Sequence, residues 1–488
     1  MTVVDDAPVA PNVPAEELRR VLDAQRAAFV AEGSPSAEVR RNRIDRLLAA
    51  VLESADDMAT ALDLDYGGRP TALSKSFEVM AWLPDAEDIR ANLETWMAPE
   101  PLPDAPGSVG RLEKRPLGVV GVIGAWNFPV ILTFQPALAA LAAGNRVMIK
   151  FPDLHVRTAK VLADAVARHF TEDEVVVVGG DLQTARDFSA LPFDHLIFTG
   201  SPAIGREVAI AAARNLTPVT LELGGKNPVV VAGDADLELA AHRIAGTRLL
   251  NGGQICLCPD YVFVPRAHGE RFVELLRAEM AQPYPDGASA PSAVAIVDDR
   301  NHQRVTGLVD DAVARGARRI EAVPASPAAG RFVPPTILTD VPAEARISSE
   351  EIFGPVLPVY LYDDVAEVID HVNAGPAPLG AYWYGEEGDD FARFLRHTAS
   401  GGVTRNDGIV HAFAPGASFG GVGNSGTGAY HGKVGFDRFS HVRTVVASVA
   451  PVGISDGMVG SALLSEAVVG AVDQGIAAAL AQVRERLG

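Results

Sequence analysis

Three side chains in this sequence combine a reactive type with a suggestive setting: Cys256, Glu222 and Asn127. Cys256 lies in NGGQICLCPD (251–260), where glycines, a glutamine and a proline favour a loop over a core strand. A reactive thiol needs access and a lowered pKa. The ordinary alternative for such a cysteine is a small buried hydrophobe, and Cys258 is read that way. Glu222 ends the apolar run VTLEL and precedes the cysteine by 34 positions, from 222 to 256. Burying a carboxylate disfavours its charge and raises its pKa, which suits a general base. An ion pair with Lys226 is the competing explanation. Asn127 follows the strand-like run VVGVI within GAWNFP. A side-chain amide there could donate to an oxyanion, or simply form a turn before Phe-Pro.

Two further places could meet a ligand. FTGSPAIG (198–205) follows an apolar run and opens a helix. Ser201 suits the cap, Pro202 the first turn, and Gly200 a close approach of backbone to phosphate at the helix N-terminus. The turn lacks a GxGxxG pattern, and many strand–helix crossovers look alike. Lys150 ends the run RVMIK, where its charge can reach a ligand or solvent.

Positioning these groups requires strands that stop beside one another. VVGVI (119–123), RVMIK (146–150), EVVVV (174–178) and HLIFT (195–199) are short, apolar and largely β-branched, with helical stretches between them. That alternation predicts a parallel, doubly wound sheet whose ligands bind beyond the carboxyl ends of the strands. A second α/β region runs from 261 to about 419, through YVFVP (261–265), VLPVYLY (356–362) and LGAYWYG (379–385). Ile44, Leu47, Leu48, Val51 and Leu52 share one helical face, and Ser34-Pro35 resembles the start of that helix. Further helices are expected over 73–96, over the segment carrying Val161, Leu162, Ala165 and Val166, and over 237–250. The stretch 99–106 is proline-rich and reads as a connection, and residues 1–14 as a mobile arm. The apolar tail over 458–487 is interrupted by charges, so it reads as a packed or dimer-facing helix rather than a membrane span.

At 488 residues the chain is long enough for two or three domains. Its 62 acidic against 42 basic side chains give a formal charge of -20, which argues against nucleic acid and anionic membranes as partners. Cys256 and Cys258 lie too close for an ordinary structural disulfide, and there is no third cysteine. With no basic, apolar leader at the N-terminus, a reducing, cytoplasmic setting is expected. The scattered histidines lack metal-ligand spacing, so no metal is expected.

Taken in chain order, PLGVVGVIGAWNFP, GNRVMIK, FTGSPAIG, LELGGK, NGGQIC, EEIFGP and GGVGNSGTG resemble the aldehyde dehydrogenase superfamily. The likeness runs from about the first long helix to Arg443. The segments GGVGNSGTGAYHGKVGFDRFSH, SALPFDHLIFTG and NLTPVTLELGGK resemble its coniferyl-aldehyde and class 3 branch. The resemblance implies oxidation of an aldehyde, aromatic or medium-length and apolar, to the carboxylic acid through a thiohemiacetal and thioester on Cys256. Glu222 is implied as the base, and Asn127 with the Cys256 backbone N–H as oxyanion donors. The implied cofactor is NAD, with NADP as an alternative. Lys150 and Asp153 would meet its adenosine ribose, Gly200, Ser201 and Gly205 its pyrophosphate, and Glu351 its nicotinamide ribose. Phe353 would pack against the nicotinamide end, and Ala125, Trp126 and Leu223 are also implied as cofactor-binding residues.

The implied fold is α/β and aldehyde dehydrogenase-like. A Rossmann-type parallel-sheet cofactor domain (1–96 and 115–222) precedes an α/β catalytic domain (223–436). A small β oligomerisation arm (97–114 and 437–450) would support a homodimer, and 451–488 would form a helical tail. The sequence departs from the family pattern at Phe151-Pro152-Asp153 after the second strand, at Ile255 and Cys258, at Ala417-Ser418, and at Arg405. The last changes lie near the expected substrate entrance, and Arg405 leaves room for an acidic substrate. Two other readings remain: an acylating dehydrogenase or acyl-phosphate reductase on the same fold, which has less need of a base at 222, and a catalytically silent NAD-binding protein.

Overall fold

The computed structural model describes residues 10–104, 107–324, 330–414, 416–450, 455 and 465–487. Most of the expected N-terminal arm, residues 1–9, therefore lies outside the described residues, as do 105–106 of the proline-rich connection and much of 451–464. The chain divides into two compact units, Met1–Trp96 with Arg115–His441, and Met97–Lys114 with Val442–Gly488.

In chain order, β1 (Glu100–Pro101) and β2 (Ser108–Pro116) come first. A parallel set follows: β3 (Val119–Ile123), β4 (Arg146–Lys150), β5 (Val175–Val178), β6 (His195–Gly200) and β7 (Val219–Leu223). A second set comprises β8 (Asn227–Val231), β9 (Pro259–Pro265), β10 (Arg318–Glu321), β11 (Thr336–Thr339), β12 (Val356–Tyr362), β13 (Gly380–Tyr384) and β14 (Gly402–Arg405). The short β15 (Gly426–Thr427) and the long β16 (Ser440–Ser448) complete the strands.

The first sheet runs β15-β7-β6-β3-β4-β5, parallel except for β15. Every residue of β3 and β4 is buried, which is why these runs are continuously apolar and β-branched rather than alternating. From β3 the chain moves outward to β4 and β5, then returns to the other side of β3 for β6 and β7. That reversal opens a crevice at the carboxyl ends of β3 and β6. Register sets Ile123 beside both Lys150 and Phe198, and Glu222 between Thr199 and Gly426. The second sheet runs β10-β11-β12-β9-β8-β13-β14, parallel except for β10. β1, β2 and β16 form a separate three-stranded sheet.

The helices differ from expectation in instructive ways. Helix Ala37–Glu53 buries Ile44, Leu47, Leu48 and Val51, but its cap is Ser36, which accepts from the Val39 N–H at 3.3 Å. Ser34-Pro35 lies one step earlier. Helix Ala15–Glu32 was not foreseen; it buries Leu18, Val21, Leu22 and Gln25. The helix expected over 73–96 is interrupted by a π-turn at Lys75–Val79 and a 3-10 turn at Met80–Trp82, after which Leu83–Met97 is α-helical. The break surrounds Glu78, whose carboxylate turns fully inward. In the second unit, helix Glu466–Leu487 buries none of its residues within the chain, so of the two readings of the tail the dimer-facing one remains. No helix of the described residues is long and apolar enough to cross a membrane.

Candidate active site

The loop 250–258 leaves helix Leu237–Leu249 through three left-handed residues, Asn251, Gly252 and Gly253. Asn and Gly tolerate that conformation best. Gly253 is needed for a second reason: a Cβ there would lie 2.4 Å from the Gly354 carbonyl carbon. The cysteine loop and the EEIFGP loop thus meet backbone to backbone. Gln254 fastens the turn, donating to the Asn251 and Ala295 carbonyls and accepting from the Val297 N–H. Asn227 donates to the carbonyls of Cys256 and Cys258 at 2.7 and 2.9 Å. Cys256 keeps partial exposure, whereas Cys258 is buried with Sγ against the Thr247 and Arg248 carbonyls.

Asn127 sits just beyond β3, and its peptide is held from three sides. The Asn127 carbonyl accepts from Tyr66 Oη at 2.8 Å, Asn251 Nδ2 at 3.1 Å and Arg69 Nη1 at 3.2 Å. Arg69 pairs with Glu78 at 2.9 Å, with both side chains fully buried. Glu78 in turn accepts the N–H groups of Val130 and Ile131, at the start of helix Ile131–Ala142. His155 Nε2 donates to the preceding carbonyl, that of Trp126, at 2.6 Å. The Asn127 amide itself donates to the Gln254 carbonyl at 3.2 Å.

Two carboxylates approach the thiol. Glu222 is 2% exposed, and neither of its oxygens has a hydrogen-bond partner among the described residues. The suspected ion pair with Lys226 does not form; Lys226 Nζ meets Asp260 at 2.6 Å instead. Burial pushes the Glu222 pKa well above the carboxylate range, with Arg438 pulling weakly the other way. Glu351 is pushed up to about 8, first by burial and then by Asp260, against the opposing Gly225 N–H, Arg304 and Lys226. Burial, then Glu351 and Glu222, push the Cys256 thiol up in turn. Without a compensating positive charge the thiol stays protonated and needs a base to react.

The remaining candidates gather at the carboxyl end of the first sheet. Ser201 caps helix Pro202–Ala213. A Cβ on Gly205 would lie 2.7 Å from Leu223, so this glycine lets the helix close on β7. Lys150 is buried and donates to the Phe151 and Gly180 carbonyls; burial lowers its pKa to about 8, while Asp153 and Asp181 oppose the shift. Asp153 is exposed. Phe353, in the left-handed region at φ 51°, packs edge-on against Trp126 at 5.3 Å. Asp260 holds that loop by accepting the Ile352 N–H, and Arg248 donates to the Gly354 carbonyl. Ala125, half-buried, joins β3 to Trp126.

Asn127 and Cys256 open onto one chamber, with Phe128, Ile255, Phe419 and Tyr430 among its walls. That lining suits an apolar ligand. Arg405 does not border it. Its guanidinium donates to the Gly385 carbonyl and faces Glu387 at 3.9 Å, which removes its support for an acidic substrate. Tyr66, Arg69, Glu78, Asn251 and Asp260 were not singled out from sequence. Only Asn251, in its Asn-Gly-Gly setting, carried a local signal.

A sequence model described as the aldehyde dehydrogenase family matches residues 8–445. The coniferyl aldehyde dehydrogenase of Pseudomonas sp. strain HR199 is 41% identical over 449 residues, covering 91% of this chain and 93% of that protein. The dimeric NADP-preferring aldehyde dehydrogenase of Canis lupus familiaris is 36% identical, covering 88% of this chain and 94% of that protein. Among solved structures, the substrate-bound state of Staphylococcus aureus AldH superposes with a TM-score of 0.84 at 29% identity, covering 89% of this chain and 95% of that one.

Proposed function

The chain belongs to the aldehyde dehydrogenase family, and from that premise we propose that Cys256 is the nucleophile, Asn127 the oxyanion donor and Glu222 the base of its reaction. The reaction is the NAD- or NADP-dependent oxidation of an aldehyde to its carboxylic acid. The observation that carries the assignment is the pairing of Cys256 and Asn127 on one apolar chamber, with a buried, unpartnered Glu222 carboxylate within electrostatic reach of the thiol.

Glu222 takes the thiol proton as Cys256 Sγ bonds to the aldehyde carbon. The former carbonyl oxygen gains the negative charge and accepts from Asn127 Nδ2 and the Cys256 N–H. A bound nicotinamide supplies the acceptor for the hydride that this carbon releases, leaving a thioester on Cys256. Glu222 gives the thiol's proton up to solvent, then takes one from the water that attacks the thioester and returns it to the departing sulfur. The acid leaves.

The residues present fit a dinucleotide, because Glu351 Oε1 is buried without a partner among the described residues and a capped helix N-terminus stands at Ser201. Glu351 would hold the nicotinamide ribose, with Ala125, Trp126, Leu223 and Phe353 around that end. Gly200, Ser201 and Gly205 would take the pyrophosphate, and Lys150 with Asp153 the adenosine ribose. An acidic Asp153 beside ribose hydroxyls disfavours a 2′-phosphate, so NAD is preferred over NADP. A lower kcat/KM with NAD than with NADP would reverse that preference.

The apolar chamber supports an aromatic or medium-length apolar aldehyde, in keeping with the coniferyl-named relative. Residues 1–96 with 115–222 would form the cofactor domain and 223–436 the catalytic domain. Residues 97–114 with 437–450 would form the arm of a cytoplasmic homodimer, and 451–488 a helical tail. Two unpaired cysteines fit a reducing compartment.

The hydrolytic step is tested by Glu222→Gln under rapid mixing. The variant should release at most about one NADH per active site and then turn over slowly. Native steady turnover in the variant, or a wild-type requirement for coenzyme A, would reject the base assignment.

A further inference from the structure

One polar feature of the chamber is not used by the chemistry at Cys256. His431 borders the chamber together with Cys256, is 9% exposed, and has no hydrogen-bond partner for Nε2 among the described residues. Its ring is fixed by stacking on Phe419 at 5.2 Å and 18°, and by an edge contact with Tyr430 at 4.4 Å. The backbone is held at φ 80°, in the left-handed region that side chains disfavour. One side of the ring is held by a hydrogen bond to the Ala412 backbone, which leaves a strained, locked imidazole with a free Nε2 on a cavity wall, a poor structural element and a good reader of a ligand.

Gln135, on helix Ile131–Ala142, borders the same chamber and is 5% exposed. Its amide donates to Asp85 at 2.8 Å, and Asp85 also accepts the Gly432 N–H. His431 and Gln135 both border a smaller, more polar hollow that includes Asp85 and Pro84. They mark the wall where apolar lining gives way to polar lining.

We propose that His431, backed by Gln135, is a specificity-determining residue that hydrogen-bonds a hydroxyl carried on the apolar body of the aldehyde, away from the carbon that Cys256 attacks. The proposal rests on the reading of Cys256 as the reacting end. A hydroxyl fits because it can donate to Nε2, the nitrogen left as acceptor while the other bonds the Ala412 backbone. Burial lowers the His431 pKa to about 3, so the ring carries no charge to attract an anion.

The test is kcat/KM of the wild-type enzyme for 4-hydroxycinnamaldehyde, cinnamaldehyde and 4-methylcinnamaldehyde, repeated with His431→Phe and His431→Leu. The wild type should prefer the hydroxylated aldehyde about tenfold over both others, a typical return for one matched hydrogen bond in a site built for it. Each variant should bring the ratio close to one whatever its overall rate, and Gln135→Leu should narrow it partway. A wild-type ratio near one, or a ratio retained by the His431 variants, overturns the inference and leaves the proposed function standing. Failure of the wild type to oxidise any of the three overturns the apolar-aldehyde reading as well. A wild-type ratio near one overturns the inference even if neither His431 variant folds, and a wild-type preference that Gln135→Leu leaves intact overturns it as well.

Discussion

Gly224→Ala isolates the role given to Glu351 without touching a charged group. A Cβ at position 224 would lie 2.1 Å from Glu351 Oε2. Ordinary contact begins near about 3.4 Å, so the carboxylate must retreat by more than about 1 Å. Gly224 has no positive φ, so the backbone tolerates alanine and the strain falls on Glu351 alone. A displacement of that size breaks a hydrogen bond to a ligand hydroxyl. With Glu351 mostly protonated at neutral pH, an ordinary hydrogen bond contributes about 0.5–1.5 kcal/mol, so KM for NAD should rise about 2- to 13-fold. Steady-state kinetics at saturating aldehyde measures this directly. Gly246→Ala is the control, because nothing lies within 4 Å of a Cβ there. Glu351→Asp shortens the side chain and restores room, so Gly224→Ala should cost less in that background. An unchanged KM for NAD in Gly224→Ala, or strictly additive effects in the double variant, would refute the placement of Glu351 against the nicotinamide ribose.

Cys256→Ala should abolish dehydrogenase activity while Cys258→Ala keeps most of it, because the Cys258 sulfur faces helix carbonyls; comparable losses in an NADH-formation assay would contradict the assignment. Glu78→Gln should destabilise the fold by about 3–5 kcal/mol by leaving the Arg69 charge buried and unpaired, and should also loosen the Asn127 peptide. Chemical denaturation showing less than about 1 kcal/mol would sink that account. Glu351 has a raised folded pKa of about 8, so the stability tied to its proton is complete below about pH 4.3 and is lost as pH rises toward 8. Melting temperatures of the cofactor-free enzyme should therefore fall over that window, and Glu351→Gln should flatten the fall; parallel profiles would argue against it.

The parallel core was legible because burial on both faces forces continuous apolar runs, as in VVGVI and RVMIK. The candidate groups stood out as a carboxylate in VTLEL and a thiol in NGGQIC, but residue type and setting left a bland alternative open for each, and only the run of family-like segments singled them out. The support around them was not legible. Arg69 and Glu78 lie in a charged, helix-like stretch, where full burial of both is rare without a partner, and the partner is visible only in three dimensions. Lys226 sat four positions from Glu222, so a local pair was the natural reading; its real partner, Asp260, is 34 positions away, from 226 to 260. Helix Ala15–Glu32 hid because its narrow buried stripe of Leu18, Val21 and Leu22 is completed by a glutamine. Gln25 is bonded to the carbonyls of Val147 and Glu172, acceptors that no local pattern announces.

The carboxylates that crowd Cys256 bear on how the protein meets thiol reagents. Peroxides, maleimides and haloacetamides consume thiolate far faster than thiol. With burial, Glu351 and Glu222 all favouring the protonated thiol, the Cys256 sulfur of a cofactor-free preparation should react with these reagents more slowly than an exposed free cysteine. The rate of alkylation by a haloacetamide at neutral pH should therefore lie below that of a small free thiol.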